Sequence, residues 1–172
     1  MGSSKTANAL MTRFNYEEKG SSVWLIKPET DNRDDYVDEN GNTVTVVKSR
    51  IGLSAVANVI KADDDIAKKF IGMKDDCPMD VIICDECQFL TEEQVEQLKY
   101  IAEYRDIPVL CFGLRSDFRT RMFPGSKRLF ELAEILSFTD LINRPVGKLS
   151  GGQRRKIDIA RALLHHPKIL IL

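Results

Sequence analysis

Three short apolar segments separated by helix-like sequence place the strongest constraint on the fold. Residues 23–26, 81–84 and 109–112 each contain four consecutive apolar side chains. Such runs are typical of parallel strands that are buried on both faces. Their alternation with longer segments of helical periodicity predicts an α/β fold, in which a parallel sheet is covered by flanking helices.

Helices are predicted from apolar spacing and from residues that begin or end helices. The first spans residues 5–19, with Leu10, Met11 and Phe14 at helical spacing and Gly20 at its end. Residues 54–73 are expected to be helical, in one piece or two. Thr91 and Gln94 form a capping box that predicts a helix running to about Arg105. Residues 127–136 are a further candidate.

The remaining segments are predicted to be strands, turns and loops. Pro28 is expected to stop the first strand, and the polar residues 29–42 indicate a surface excursion with an Asn40-Gly41 turn before a β segment at 43–47. Residues 113–126 are predicted to form a loop rich in basic and aromatic side chains. In residues 137–172, called the tail below, Ser150 can cap a helix that ends before Pro167, and residues 169–172 are predicted to form a strand.

Charge and length narrow the classes of partner. The 25 Lys and Arg residues nearly balance the 26 Asp and Glu residues, which leaves a net charge of -1. No global field then favours nucleic acid or an acidic membrane surface. The sequence has neither an apolar run of about 18 residues nor a signal-peptide pattern. We therefore expect a cytoplasmic protein with no nucleic-acid partner and no direct membrane contact.

Four cysteines are expected to be reduced. Cys84 and Cys87 have the C-x-x-C spacing of half a zinc site or of a redox pair. No second such pair follows, and the two histidines, His165 and His166, are distant in sequence. A metal or redox role stays open as the weaker alternative, and zinc is not expected.

The start of the chain contains part of a phosphate-binding pattern. Gly2, Ser3, Ser4, Lys5 and Thr6 precede or open the first predicted helix. Backbone N–H groups at a helix N-terminus can hold phosphates, a lysine can reach their outer oxygens, and a threonine hydroxyl can ligate magnesium. Because glycine is absent just before Lys5, a simple helix cap is the alternative interpretation.

Two carboxylates directly follow the second apolar strand. Asp85 and Glu86 lie where P-loop enzymes place their magnesium-coordinating and proton-accepting groups. Successive side chains leaving a strand point in different directions, so one carboxylate can serve the metal while the other faces the substrate. A simple acidic turn is the alternative.

These blocks, in their order and spacing, resemble a cytosolic-type thymidine kinase. The matching segments are Gly2-Ser3-Ser4-Lys5-Thr6, Asp31-Asn32-Arg33, Ser49-Arg50-Ile51-Gly52, Asp85-Glu86-Cys87-Gln88-Phe89 and Gly113-Leu114-Arg115-Ser116-Asp117-Phe118-Arg119.

The resemblance implies a P-loop, RecA-like fold that transfers the γ-phosphate of ATP to the 5′-hydroxyl of thymidine, with Mg²⁺ as cofactor. It implies that Glu86 is the general base, that Asp85 and Thr6 hold magnesium, and that Arg33 joins the phosphate site. It also implies a homo-oligomer. The residues matching those that enclose the pyrimidine are Phe89, Leu114, Phe118 and Phe123.

The tail resembles a different family. Ser150, Gly151, Gly152 and Gln153 lie within a segment similar to the signature region of ABC-type ATPases. We therefore expect an incomplete kinase-like domain over residues 1–136, lacking the first strand and the zinc lobe of the family, and an ABC-like fragment over residues 137–172.

Several alternatives remain open for this arrangement. The chain as a whole could be an inactive chimera, or an ABC transporter ATP-binding fragment that binds nucleotide or a partner without phosphorylating nucleosides. The tail could also do no more than cover exposed surface. A further hypothesis pairs residues 169–172 with the sheet edge left open by the missing first strand.

Overall fold

A computed structural model describes residues 4–29, 35–41, 43–73, 79–135 and 169–171. The helices within these ranges are α1 (Ser4–Glu17), α2 (Ile66–Met73), α3 (Glu92–Tyr104) and α4 (Pro124–Ile135), with a short 3₁₀ turn at Cys87–Phe89. The strands are β1 (Val23–Pro28), β2 (Tyr36–Val37), β3 (Thr43–Val44), β4 (Val46–Lys48), β5 (Ser54–Val56), β6 (Asn58–Ile60), β7 (Val81–Cys84), β8 (Val109–Leu114) and β9 (Ile169–Ile171).

The centre of the fold is a sheet with strand order β6-β1-β7-β8-β9. The first four of these strands run parallel to one another, and β9 pairs antiparallel with β8. Helices flank the sheet, so the predicted α/β class is confirmed. None of the helices in the described part of the chain has the length and apolar content needed to cross a membrane.

The central strand β7 is apolar throughout because both faces of the sheet are covered. Along β7, Val81 and Ile83 pack in a cluster with Leu10 of α1. The alternate residues Ile82 and Cys84 pack in a second cluster, which includes side chains of α2, α3 and α4. Successive side chains of a strand point to opposite faces, so burial of both faces requires an unbroken apolar run.

The prediction of a helix over residues 54–73 is wrong for its first half. Residues 54–60 form β5 and β6, and the helix begins only at Ile66. Strand β6 pairs with β1, and the Trp24 indole N–H donates to Asn58 Oδ1 at 3.1 Å. Partnering the backbone of β1 stabilises an extended conformation here, so tertiary pairing overrides a weak local preference for helix.

Helix α1 is confirmed, but the expected apolar spacing does not define its buried face. Leu10 is buried, whereas Met11 is 45% exposed and Phe14 is 58% exposed. The buried side chains of α1 include Lys5, Thr6 and Ala9. The helix therefore turns polar side chains inward at its first turn, which apolar periodicity could not show.

The other predicted elements that fall within the described residues are confirmed with shifted ends, whereas the predicted helix between Ser150 and Pro167 lies outside them. Pro28 is the last residue of β1. The Thr91 hydroxyl accepts from Gln94 N, and the Gln94 side chain accepts from Thr91 N, so the capping box of α3 is present. The predicted loop 113–126 is shorter, because β8 continues through Leu114 and α4 begins at Pro124.

The surface excursion after β1 contains two small antiparallel pairs. Strand β2 pairs with β3, and β4 pairs with β5. Gly41 lies in the predicted turn with a φ of 81°, in the left-handed region that glycine adopts readily. Lys27 of β1 anchors the excursion, since its ammonium lies 3.6 Å from Asp35 Oδ1.

Strand β9 lies at the edge of the central sheet beside β8. Ile169 is opposite Leu114, and Ile171 is opposite Phe112. The hypothesis that this segment joins a sheet edge is thereby confirmed. Its further part, that a missing first strand left this edge open, stays a prediction.

Candidate functional site

The carboxyl end of β7 and the N-terminus of α1 bring the main predicted site residues together. Asp85 and Glu86 follow β7 directly, and Lys5 and Thr6 lie in the first turn of α1. In parallel α/β sheets, ligands bind in the crevice beyond the carboxyl ends of the strands. These four residues, Lys5, Thr6, Asp85 and Glu86, are called the acidic edge below.

Asp85 is the buried carboxylate of the acidic edge. Thr6 Oγ1 donates to Asp85 Oδ2 at 3.0 Å, whereas the buried Oδ1 accepts no hydrogen bond from any described residue. Burial raises the pKa of Asp85 to about 6, and the charge of Glu86 adds to the rise. The Thr6 hydrogen bond and Lys5 act in the opposite direction but are outweighed.

Glu86 is the more accessible carboxylate. Its side chain is 17% exposed, and its Oε2 lies 3.8 Å from Lys5 Nζ, which is itself buried. Gln88 Nε2 donates to the same oxygen. The backbone of Glu86 has a φ of 54° and a ψ of 36°, a left-handed conformation that is uncommon for a residue with a side chain. Two nitrogen donors thus hold this carboxylate beside the start of α1.

The residues present fit a magnesium ion better than a transition metal. Magnesium prefers oxygen ligands and is usually bound by one or two carboxylates together with substrate phosphates. The unpartnered Asp85 Oδ1 and the adjacent Thr6 hydroxyl supply such oxygens. Within the described ranges, no group of three or more His, Cys, Asp or Glu side chains could hold a metal by itself.

The residues predicted to enclose a base form a second group, which is largely aromatic. The rings of Phe89 and Phe123 meet edge to face, with their centroids 5.5 Å apart. Phe89 is 41% exposed, and Phe118 is 89% exposed. Leu114, at the end of β8, is partly buried. These four residues, Phe89, Leu114, Phe118 and Phe123, are called the aromatic wall below.

A turn centred on Asp117 carries Phe118. The Asp117 carboxylate accepts from the backbone N–H groups of Arg119 at 2.8 Å and Arg121 at 2.9 Å. Asp117 N also donates to Arg121 O, and a bridge joins Ser116 to Met122. The exposed ring therefore belongs to a locally hydrogen-bonded turn. Sequence reasoning had not singled out Asp117, although an aspartate within a turn is a usual partner for nearby N–H groups.

The C-x-x-C pair is not arranged as a ligand pair. Cys84, Cys87 and Cys111 are buried free thiols. Burial raises the pKa of Cys84 well above its usual range. The hydrogen bond with Cys111, followed by burial, does the same to the pKa of Cys87. Neutral, buried thiols are poor nucleophiles and poor metal ligands, which favours a packing role.

Other predicted site residues lie outside the described residues. Gly2, Ser3 and Arg33 belong to this group, as do Ser150, Gly151, Gly152 and Gln153 of the ABC-like segment. Ser4 is described only as the first residue of α1. Their assigned roles remain predictions, and so does the division of the chain near residue 136.

Sequence reasoning missed two polar residues close to the site. Gln88 is 1% exposed, and Ser126 is fully buried, yet both side chains bond to polar groups at the site or to the aromatic wall. Gln88 was part of the Asp85–Phe89 segment that carries the resemblance, but the sequence assigned it no role. Ser126 carried no signal, because serine is common in loops.

Comparison with known proteins identifies the family of the chain. A family model described as thymidine kinase matches residues 1–143. Thymidine kinases of Yersinia pestis and Enterobacteria phage T4 are each 38% identical over 136 residues, which cover 79% of this chain and 65% and 66% of those proteins. The thymidine kinase of Vibrio cholerae serotype O1 is 39% identical over the same length, covering 67% of that protein.

The chain therefore spans about 65% of the length of the Yersinia relatives. The matched portion includes the acidic edge and the aromatic wall. By the extent of the family match and by these identities, the chain belongs to the thymidine kinase family.

Proposed function

We propose that this chain transfers the γ-phosphate of ATP to the 5′-hydroxyl of thymidine, giving dTMP and ADP. The observation that carries the proposal is the position of Glu86, which is accessible and lies beside the N-terminus of α1. A carboxylate at this position can meet a sugar hydroxyl on one side and a bound triphosphate on the other.

Glu86 is the proposed proton acceptor. As the 5′-oxygen forms its bond to the γ-phosphorus, the bond from that phosphorus to the bridging oxygen of ADP breaks, and the hydroxyl proton passes to the carboxylate. Both described contacts of the carboxylate use Oε2. This arrangement leaves Oε1 to take the proton.

Lys5, Thr6 and Asp85 form the proposed phosphate side of the site. The Lys5 ammonium lies in the first turn of α1, where N–H groups and the helix dipole also favour anions. Thr6 and Asp85 would hold magnesium, which when bound offsets the charge of the phosphates. The resemblance adds Gly2, Ser3, Ser4 and Arg33 to this group.

The aromatic wall is the proposed nucleoside side of the site. A pyrimidine is flat and largely apolar on its faces, so aromatic rings offer it favourable contact. The Phe89 and Phe123 pair and the exposed Phe118 ring provide such faces, and Gln88 links Leu114 of the same group to Glu86. The exposed Phe118 ring offers apolar area that a bound base would cover.

The other expectations for the chain stay predictions. They are a homo-oligomer, a cytoplasmic location and an ABC-like role for Ser150–Gln153. No contact among the described residues favours nucleotide binding by the tail over kinase activity of the main domain. The inactive chimera is therefore kept as an outcome of the test that follows.

The test combines the purified chain with ATP, Mg²⁺ and thymidine and measures dTMP. We expect product from the wild type and a loss of about 10²–10⁴-fold in Glu86→Gln, because general base catalysis contributes about that much. Glu103→Gln is the matched control, since Glu103 is an exposed glutamate of α3.

Two outcomes would count against the proposal. Unchanged activity of Glu86→Gln would remove Glu86 as the proton acceptor. A wild-type chain that binds ATP but makes no dTMP would support the inactive chimera.

A further inference from the structure

Gln88 connects the acidic edge to the aromatic wall. Its amide Nε2 donates to Glu86 Oε2, and its Oε1 accepts from Leu114 N at 3.0 Å. The side chain is buried, with 1% exposure. One amide group therefore contacts both the proposed base and the backbone of a proposed nucleoside-wall residue, and both ends of the amide are used.

The hydrogen-bond chain continues beyond Leu114. Ser126 Oγ donates to Leu114 O at 2.6 Å, so side chains bind both backbone polar groups of Leu114. Ser126 is fully buried in the first turn of α4. The end of β8 is thus fixed from the 3₁₀ turn on one side and from α4 on the other.

Two glycines allow this close approach. A Cβ on Gly113 would lie 2.7 Å from Gln88 Oε1 and 2.6 Å from Cys87 Sγ. A Cβ on Gly125 would lie 2.5 Å from Cys87 O and 2.8 Å from Leu90 O. Real Cβ atoms do not tolerate such distances, so any larger residue would push the 3₁₀ turn away from β8 or α4.

The backbone of Glu86 makes this support necessary. A non-glycine residue in the left-handed region is strained and persists only where its surroundings hold it. Gln88, two residues later, anchors the Glu86 carboxylate to β8 rather than to the flexible end of Lys5 alone. The direction of the carboxylate is then set by the sheet.

We infer that Gln88 is a positioning residue that fixes the orientation of the Glu86 carboxylate relative to the aromatic wall. The inference rests on the proposed function. Because reacting groups must be placed within a fraction of an ångström, loss of this link should lower turnover more than nucleotide affinity.

The experiment compares Gln88→Met with Gln94→Met in the full chain. Gln94 is a matched control because it is also a buried glutamine whose amide bonds to backbone groups, here Thr91 N and Lys61 O, away from the site. We expect Gln88→Met to lose about tenfold to a hundredfold in kcat, with little change in KM for ATP. Gln94→Met should keep its kcat while losing thermal stability.

Hydrogen exchange at the Leu114 amide, followed by NMR, provides a readout that does not need activity. We expect faster exchange in Gln88→Met than in wild type. A second variant, Gln88→Glu, retains an oxygen that can accept from Leu114 but, when ionised, has no donor for Glu86. At mildly alkaline pH it should keep the amide protection and still lose kcat.

Each outcome supports or overturns a defined part of the inference. Unchanged exchange in Gln88→Met overturns the link to Leu114 whatever the activity. Faster exchange with unchanged kcat overturns the positioning role while leaving the proposed function intact. If the wild type makes no dTMP, the proposed function fails and the catalytic role of Gln88 fails with it, while the exchange data still decide whether the link exists.

Discussion

The acidic edge and the aromatic wall differ in how completely the fold defines them. Lys5 and Asp85 are almost fully buried, and contacts link every member of the acidic edge to another. In the aromatic wall, Phe118 is 89% exposed and Phe89 is 41% exposed. The groups proposed for chemistry are thus set before substrate arrives, whereas two of the rings proposed for base contact, Phe89 and Phe118, are left exposed by the fold.

This difference has an energetic consequence. Buried charges cost free energy unless they are paired. The acidic edge therefore destabilises the ligand-free folded state, and ligand binding can offset that cost. The exposed Phe118 ring costs little in folding but offers apolar area for binding. Variants in the two regions should therefore separate turnover, stability and nucleoside affinity.

After Glu86→Gln, the largest effect is expected for Lys5→Met. Loss of the buried ammonium removes charge stabilisation at the phosphates, and removal of one such group costs about 10²–10³ in kcat. The measurement is the rate of dTMP formation at saturating thymidine with ATP varied. Lys19→Met, an exposed lysine just after α1, is the control. A loss below about tenfold would show that the acidic edge does not act on the phosphates.

Asp85→Asn should separate activity from stability. We expect kcat to fall by about 10²-fold, because an amide is a weaker magnesium ligand than a carboxylate. The variant should nevertheless unfold less readily at neutral pH, because it removes a buried charge with an unpartnered oxygen. Denaturant unfolding without Mg²⁺ gives the free energies. A destabilised variant would show that the interactions of the Asp85 carboxylate in the folded state outweigh the free-energy cost of its burial.

The same carboxyl gives a pH dependence of defined sign. Because burial raises the pKa of Asp85 to about 6, the folded state keeps this proton at pH values where the unfolded state has lost it. Its contribution to stability therefore falls as the pH rises from about 4 to about 6, by up to about 3 kcal/mol. The dependence should be weaker in Asp85→Asn. If the free energy of unfolding changes equally with pH in the wild type and in Asp85→Asn, Asp85 is not the source of the dependence.

A smaller effect is expected for Phe118→Ala. Stacking of an aromatic side chain on a base is worth about 1–3 kcal/mol, so KM for thymidine should rise by about tenfold with kcat nearly unchanged. Thermal stability should not change, because the ring is almost fully exposed. Phe123→Ala is the contrasting variant, since its ring also packs on Phe89. A clear loss of stability in Phe118→Ala would show that the ring is part of the fold.

The smallest effect is expected for Thr91→Ala. This variant removes the capping box of α3, away from both regions, and should cost about 1 kcal/mol in the free energy of unfolding. Because the acidic edge depends on contacts among β7, α1 and β8, kcat should be unchanged. A parallel loss of kcat would mean that the site is sensitive to any loss of stability, and the comparison between the two regions would lose its meaning.

The sequence was informative where local pattern and tertiary environment agreed. The apolar runs of β7 and β8, the capping box of α3 and the pairing of Asp85 and Glu86 after a buried strand were all predictable. Each depends on neighbours within a few residues. The meeting of α1 with the end of β7 joins distant segments, and it was expected from a different source, the general placement of ligand sites beyond the carboxyl ends of parallel strands.

Prediction failed where distant contacts decided the outcome. Residues 54–60 are extended because β5 pairs with β4 and β6 pairs with β1, although their composition allows a helix. Met11 and Phe14 are exposed because the inward face of α1 carries Lys5 and Thr6 toward the acidic edge. The residues that decide these outcomes are distant in sequence. Apolar periodicity, which depends on nearby residues alone, therefore could not predict the conformation of residues 54–60 or the exposure of Met11 and Phe14.

The sequence by itself determined the alternation of the three apolar strands β1, β7 and β8 with helices, and the identity of the acidic and aromatic residues, because these follow from composition and short spacing. Its motifs, in their order and spacing, also indicated the family. Only the tertiary structure decided that Gln88 joins Glu86 to Leu114 and that Asp85 is buried with one oxygen unpartnered. Hydrogen-bond direction and burial depend on atoms brought together from distant parts of the chain, and those distances exist only once the chain has folded.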